Sequence, residues 1–160
     1  RSYTPGFERN MDDDMIKALA KNGGVVQINF GSSFVTQMAN QYGALRKAAA
    51  KQAGVADDEA FELQFRKQNP YPFATIDTVL DHIDHVVKLV GIDYVGIGSD
   101  YDGVGDSLPV GLKDVASYPN LIDGLLKRGY SEADIEKILS GNLLRVWRTV
   151  EQYAAQYKAG

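Results

Sequence analysis

The sequence predicts an α/β fold, and the closing part of a larger one. Two observations carry the prediction. Helical segments alternate with short, β-branched apolar runs, VVQINF at 25–30 and YVGIGSD at 94–100. Strands separated by helices pair in parallel through right-handed crossovers. Only these two runs read as strands, although 160 residues suffice for one domain with a full core. Two parallel strands cannot make a covered sheet. The chain also starts with Arg1 and not with Met, so the expectation is that an upstream segment belongs to the same domain.

Each element has a local reason. Residues 1–9 read as an irregular opening loop, with Pro5-Gly6 as its turn signal. Asn10, with Asp13 three residues on, predicts a helix cap, and Asp12, Asp13 and Asp14 suit the positive end of the helix dipole. Met15, Ile16 and Leu19 form that helix's apolar face, and Gly23-Gly24 ends it. The first strand follows and stops at Gly31. Residues 33–69 are helical in composition, with a break near Gly54 to Asp57, and Asn69-Pro70 is a firm stop. Thr75 caps the next helix, whose Ile76, Val79, Leu80, Ile83, Val87 and Val90 recur at the helical period. Gly91 ends it, and the second strand begins. Past a glycine-rich loop, SYPNLIDGLLKRG predicts a helix, and Ser131 with Asp134 forms a capping box for another. Ser140-Gly141-Asn142 predicts a break, with Asn142 capping the last helix.

Composition narrows the function. Hydrophobic residues make up 44% and charged residues 24%, the balance of a soluble globular protein. A net charge of −4 gives nucleic-acid binding no electrostatic support. No apolar run approaches the ~18–20 residues of a membrane helix, and no signal peptide is visible. Cysteine is absent, which excludes disulfides, thiolate metal sites and a cysteine nucleophile within this sequence. No phosphate loop, Ser/His/Asp set or HExxH appears.

The residues with chemical promise are few. Asp100 stands at the end of a predicted parallel strand, where active sites of α/β folds gather. It reads as a general acid/base or a metal-linked carboxylate, or else as an Asp capping a turn with help from Gly103. Asp102 reads as a turn former. Arg9 is either an anion ligand or a solvated loop residue. His82 and His85, the only histidines, are three apart on one helix, a spacing that can support metal ligation. The apolar stripe runs through Ile83, however, which predicts a solvated polar face for His85, paired with Asp81 at i, i+4.

Taken in order, ERNMDDDMIKALAKNGGVVQINF, TIDTVLDHIDHVVKLVGIDYVGIGSDYDGVG and VGLKDVASYPNLIDGLLKRGYSEADIEKILSGNLLRVW resemble the C-terminal portion of the membrane (renal) dipeptidase family. The resemblance covers nearly all of 1–160, and the combination GIGSDYDG, YPNL and GNLLRV is specific. Residues 36–70 match least and read as a variable helical insertion.

The resemblance implies a (β/α)8 TIM barrel, incomplete as given, with two zinc ions bridged by a glutamate. It implies hydrolysis of dipeptides, often with tolerance of a D-residue on the C-terminal side. Asp100 matches the acid that handles the proton of the attacking water and the leaving amine. Arg9, in ERN, matches the arginine that contacts substrate or its tetrahedral intermediate, and Phe34 occupies a substrate-contacting loop position. The family's metal ligands are an early His-x-Asp, the bridging Glu and two later histidines, the last just before a Ser-Ser step upstream of the arginine. None matches a position here, and His82 and His85 match a non-ligand helix, so no metal ligand is expected in this chain. The expected partners are a dipeptide and the N-terminal half of the same barrel, with a homodimer left open. A periplasmic or extracellular location is the family-based expectation. The alternative is a non-catalytic binding or assembly domain built on the same barrel fragment; a third reading keeps the barrel for another amide hydrolysis.

Overall fold

A computed structural model describes residues 2–158. Its elements are α1 (Asp13–Lys21), β1 (Val26–Asn29), α2 (Ser32–Val35), α3 (Gln37–Ala53), α4 (Glu59–Gln68), α5 (Ile76–Val90), β2 (Val95–Ser99), α6 (Tyr118–Lys127), α7 (Glu132–Glu136) and α8 (Asn142–Lys158). The fold is α/β. Its sheet, among the described residues, has two strands, which pair in parallel with Val26 opposite Val95, Gln27 opposite Gly96 and Ile28 opposite Ile97. The register shifts at the end, where Asn29 meets Ser99. No helix among the described residues is long and apolar enough to cross a membrane.

Alternation along the strands divides the sheet into two faces. Val26, Ile28, Val95 and Ile97 belong to the core, packed with Val79, Ile83 and Val86 of α5 and Leu121 and Leu125 of α6. The predicted α5 stripe is therefore the buried one, with Val86 added to it and Ile76, Val87 and Val90 half-buried. Gln27 and Asn29 take the other face and lie across the glycines of β2. A Cβ at Gly96 would sit 2.5 Å from Gln27 Oε1, and one at Gly98 would collide with Asn29 Oδ1. Glycine at 96 and 98 thus makes room for the neighbouring strand's amides.

Apart from Met15, which is exposed although the sequence predicts it on the apolar face of α1, three sequence expectations need correction. Asp12, not Asn10, caps α1, accepting from the Met15 N–H at 2.9 Å. Asn10 instead donates its side-chain amide to the Phe34 carbonyl at 2.7 Å. An amide can satisfy a distant carbonyl, which a carboxylate cannot, and Asp12 takes the cap. Ser140-Gly141-Asn142 does not break the chain either. Lys137–Gly141 forms one π-helical turn that joins α7 to α8. A Cβ at Gly141 would sit 3.3 Å from the Glu136 carbonyl oxygen, so glycine suits that turn. Asn142 caps nothing: it is buried and donates to the carbonyls of Ile92 (2.7 Å) and Val95 (2.9 Å), tying α8 to the start of β2. Third, the polar side of α5 is not a solvated face, as the site below shows.

The Thr75 and Ser131 capping boxes are present, and the 33–69 segment breaks where expected. Its α3 and α4 are joined by Gly54 in a left-handed cap (φ 69°). Arg46 binds both Asp57 and Glu62, and Tyr42 Oη donates to the Asn69 carbonyl at 2.7 Å.

Asn142→Ala would leave two β2-proximal carbonyls without their donors in a buried setting. Each buried hydrogen-bonding group left unsatisfied costs about 1–3 kcal/mol. The expected result is a loss of about 2–4 kcal/mol in stability, read as a lower urea midpoint at unchanged m-value. Asn142→Asp, which keeps the shape and removes the donors, should be no better.

Candidate functional site

The C-terminal end of β2 carries unusual backbone. β2 ends in two consecutive left-handed residues that are not glycine, Ser99 (φ 52°) and Asp100 (φ 66°). Left-handed backbone at non-glycine residues costs energy, although Asp tolerates it better than most. Asp100 N–H donates to the Gly98 carbonyl at 2.8 Å, which curls the chain back at once. The Ser99 carbonyl accepts from Phe30 N–H at 2.9 Å, so the curl is pinned to β1. Asp100 is half-buried there, and Asp102 beyond it is exposed.

β1 leads through Gly31 into α2, a single turn that carries Phe34. The last carbonyls of a helix lack intrahelical partners. Here side chains supply them. The Phe34 carbonyl accepts from Asn10 Nδ2 (2.7 Å) and from the hydroxyl of fully buried Thr4 (3.1 Å). The Val35 carbonyl lies 3.0 Å from His82 Nε2. On the resulting platform the Phe34 ring is stacked with Phe7 (5.8 Å, 9°), and the Arg9 guanidinium carbon lies 5.1 Å from the Phe34 centroid. Arg9 is exposed.

Arg9 and Phe34 border a cavity of about 240 Å³, whose walls include Gln27, Asn29, His82 and His85. Two of the three predicted site residues are therefore in contact. Asp100 ends the neighbouring strand and is not part of this cavity wall.

Both histidines have partners. His85 Nε2 is 2.7 Å from Asp13 Oδ1, and the Tyr3 ring packs on His82 (4.6 Å) and His85 (5.8 Å). Asp81 pairs with Arg128 Nη1 at 2.8 Å instead of with His85. The prediction of a solvated face fails because α1 lies alongside α5 and turns its acidic first turn toward His85. Burial lowers the His82 pKa below the ordinary histidine value. The Val35 carbonyl can only accept, so a neutral His82 presents its proton on Nε2.

The hydrogen bond from His85 holds the Asp13 carboxyl below the ordinary carboxylate range, aided by the nearby His85 and Lys17 charges. A depressed folded-state pKa stabilises above the unfolded pKa and loses that contribution as pH falls through the folded one. Asp13→Asn should therefore lower Tm at pH 7. The gap from the parent should close on acidification below about pH 4, the region of an unfolded aspartate. Thermal melts from pH 7 to pH 3 check this; a gap that stays constant would remove the His85 pair as its source.

The arrangement does not fit a dinuclear metal centre. Among the described residues, no three His, Asp or Glu side chains converge on one point. The Nε2 atoms of His82 and His85 already face a carbonyl and a carboxylate.

The structure is thus a parallel strand–helix–strand unit of an α/β fold with an aspartate in left-handed backbone at one strand end, the edge where sites of such folds gather. Residues 6–160 match the membrane dipeptidase family, Peptidase family M19, and the chain belongs to that family. It is 36% identical over 143 residues to mouse (Mus musculus) dipeptidase 3, covering 89% of this chain and 22% of that protein. Human (Homo sapiens) dipeptidase 3 is 34% identical over 150 residues, 94% of this chain and 24% of that protein. The chain thus spans about a quarter of the length of these curated relatives. Among solved structures, the probable dipeptidase PvdM of Pseudomonas aeruginosa superposes with a TM-score of 0.70 at 27% identity, over 92% of this chain and 42% of that one. A Rhodobacter sphaeroides metallopeptidase, bound to a phosphinate mimic of the dipeptide L-Ala-D-Ala, gives 0.63 at 26% identity, over 89% and 31%.

Thr4, Asn10 and His82 build the Phe34 platform, a part that sequence reasoning gave to none of them. They act through side chain to main chain hydrogen bonds across 24 to 47 residues, a pattern with no periodicity to detect.

Proposed function

We propose that the complete protein hydrolyses dipeptides and that this chain supplies an acid–base carboxylate, Asp100, and a substrate-binding arginine, Arg9. The remaining strands of a (β/α)8 barrel and the ligands of two zinc ions lie, on this reading, outside the chain. Residues 36–70 decorate the barrel as a variable helical insertion. The observation that carries the reading is the left-handed Ser99–Asp100 pair at the C-terminal end of β2. Strained backbone persists where its surroundings over-determine it, and such sites cluster at active centres.

Asp100 takes a proton from the attacking water on a carboxylate oxygen and delivers it to the departing amine. Arg9 offers a planar fork of donors to the substrate carboxylate or to the oxyanion of the tetrahedral intermediate. The Phe34 ring beneath it limits where the fork can go. A dipeptide is short and ends in a carboxylate, which suits one arginine on a rigid ring. The L-Ala-D-Ala mimic held by the Rhodobacter relative supports this substrate class.

The test is steady-state hydrolysis of L-Ala-L-Ala and L-Ala-D-Ala by the complete, metal-loaded enzyme and its Arg9→Lys variant. A hydrogen bond to a charged group is worth about 1.5–3 kcal/mol. Loss of the fork should then lower kcat/KM by about 10- to 100-fold. An unchanged kcat/KM at full metal content would reject the role given to Arg9.

A further inference from the structure

We infer that His82 is a positioning residue for Arg9: its hydrogen bond to the Val35 carbonyl fixes the α2 turn, and that turn fixes the ring on which the guanidinium rests. The inference rests on the reading of Arg9 as a substrate-binding group.

The geometry forms a short chain of contacts. α5 is anchored in the core through Val79, Ile83 and Val86, all buried. His82 projects from this rigid helix and lies 3.0 Å from the Val35 carbonyl oxygen. Val35 is itself buried and directly follows Phe34. The turn it closes is only four residues long, and Gly31 gives it no side-chain cap. Such a turn has little stability of its own, so its position depends on what holds its ends. At its start, the Ser32 N–H donates to the Ser107 carbonyl (2.8 Å) and Ser32 Oγ accepts from Ala74 N–H (3.0 Å). At its end, Thr4 and Asn10 donate to the Phe34 carbonyl. Both of these belong to the same loop as Arg9, so they couple that loop to the turn but do not tie either to the core. His82 is the side chain whose hydrogen bond ties the turn's end to α5.

The consequence is positional. Without the Nε2–H donor, the Val35 carbonyl loses its helix-anchored partner. The Phe34 ring and the Arg9 loop can then shift together. A misplacement of about 1 Å in a substrate-positioning group can cost up to about 10²-fold in rate.

His82→Phe keeps a ring against Tyr3 and deletes the donor. His82→Gln replaces the donor with an amide Nε2. In the complete, metal-loaded enzyme acting on L-Ala-D-Ala, His82→Phe should lower kcat/KM by about tenfold, inside the range for misplaced groups. His82→Gln should recover most of that. The effect should vanish in an Arg9→Ala background, because residues that act through one group are not additive. The inference is overturned if His82→Phe costs the same factor with and without Arg9, which would mark a general structural role. It is also overturned if His82→Gln is as impaired as His82→Phe. Should His82→Phe fail to fold, His82→Gln decides the question alone: near-parental turnover supports the inference, and a folded but impaired enzyme rejects it. If Arg9→Ala itself turns over normally, the reading of Arg9 falls and this inference with it. If Arg9→Ala is impaired and His82→Phe is not, only the inference falls.

Discussion

Asp100→Asn is expected to lower kcat by roughly 10²–10⁴-fold, the usual contribution of a positioned acid or base. The side chain keeps its shape and loses its ability to take a proton. Asparagine tolerates left-handed backbone about as well as aspartate, so the φ of 66° at this position should survive the change. The proton transfer belongs to the transition state, so kcat and kcat/KM should fall together. Metal content should stay as in the parent, because the proposal places the metal ligands elsewhere. Asp102→Asn is the internal control. Asp102 is exposed, two residues past the strand end, and should change the rate little. The turn-capping reading of Asp100 predicts the opposite order, with a lower Tm and intact turnover in Asp100→Asn. Turnover of a simple dipeptide by both variants, with metal measured in each, separates the two. Near-normal kcat in a fully loaded Asp100→Asn enzyme would remove this residue from the chemistry.

What could be read from the sequence follows the range of the interactions. α5 was legible because its apolar residues recur at the helical period and Thr75 caps it within one turn. The parallel pairing of β1 and β2 was legible because a helix must cross between them. The Asp12 cap, the buried Asn142 and the His85–Asp13 pair were not. In each case the sequence offered a chemically acceptable local assignment, and a contact made by tertiary packing overrode it. His85 shows this most plainly: Asp81 sits one turn away on its own helix, yet Asp13, 72 residues distant in sequence, takes the hydrogen bond. For the site, Asp100 could be singled out from its place at a strand end. Arg9 could be read from the sequence only as an anion ligand or a solvated loop residue, and Phe34 came only from family resemblance. Nothing in their own spacing announces that a loop arginine will rest on a phenylalanine 25 positions later, and nothing signals the carbonyl platform beneath them.

The largest stability loss among single substitutions should come from Phe30→Ala, at about 3–5 kcal/mol, the range for emptying a buried phenylalanine site. Phe30 is fully buried at the end of β1. Its ring meets Tyr101 edge-on (5.9 Å, 71°) and Tyr118 likewise (6.4 Å, 79°). Truncation loses the transfer free energy of the ring, leaves a cavity, and breaks both aromatic contacts, which share the same atoms and so do not add in full. Phe30→Leu fills part of the space and should cost less. Urea unfolding of the complete protein reads both, with the midpoint falling in the order parent, Leu, Ala. The same substitution should also reach the chemistry. Phe30 N–H holds the Ser99 carbonyl, and its ring supports Tyr101, the residue after Asp100. Strained backbone persists only while its surroundings over-determine it. With the ring gone, the Ser99–Asp100 curl can relax, and a general base needs its carboxylate within hydrogen-bond reach of the proton it takes. Phe30→Ala that is still folded at the assay temperature should therefore lose turnover, and Phe30→Leu should lose less of it. A folded Phe30→Ala enzyme with parental kcat would show that the curl holds without the ring, and that the packing of Phe30 serves stability alone.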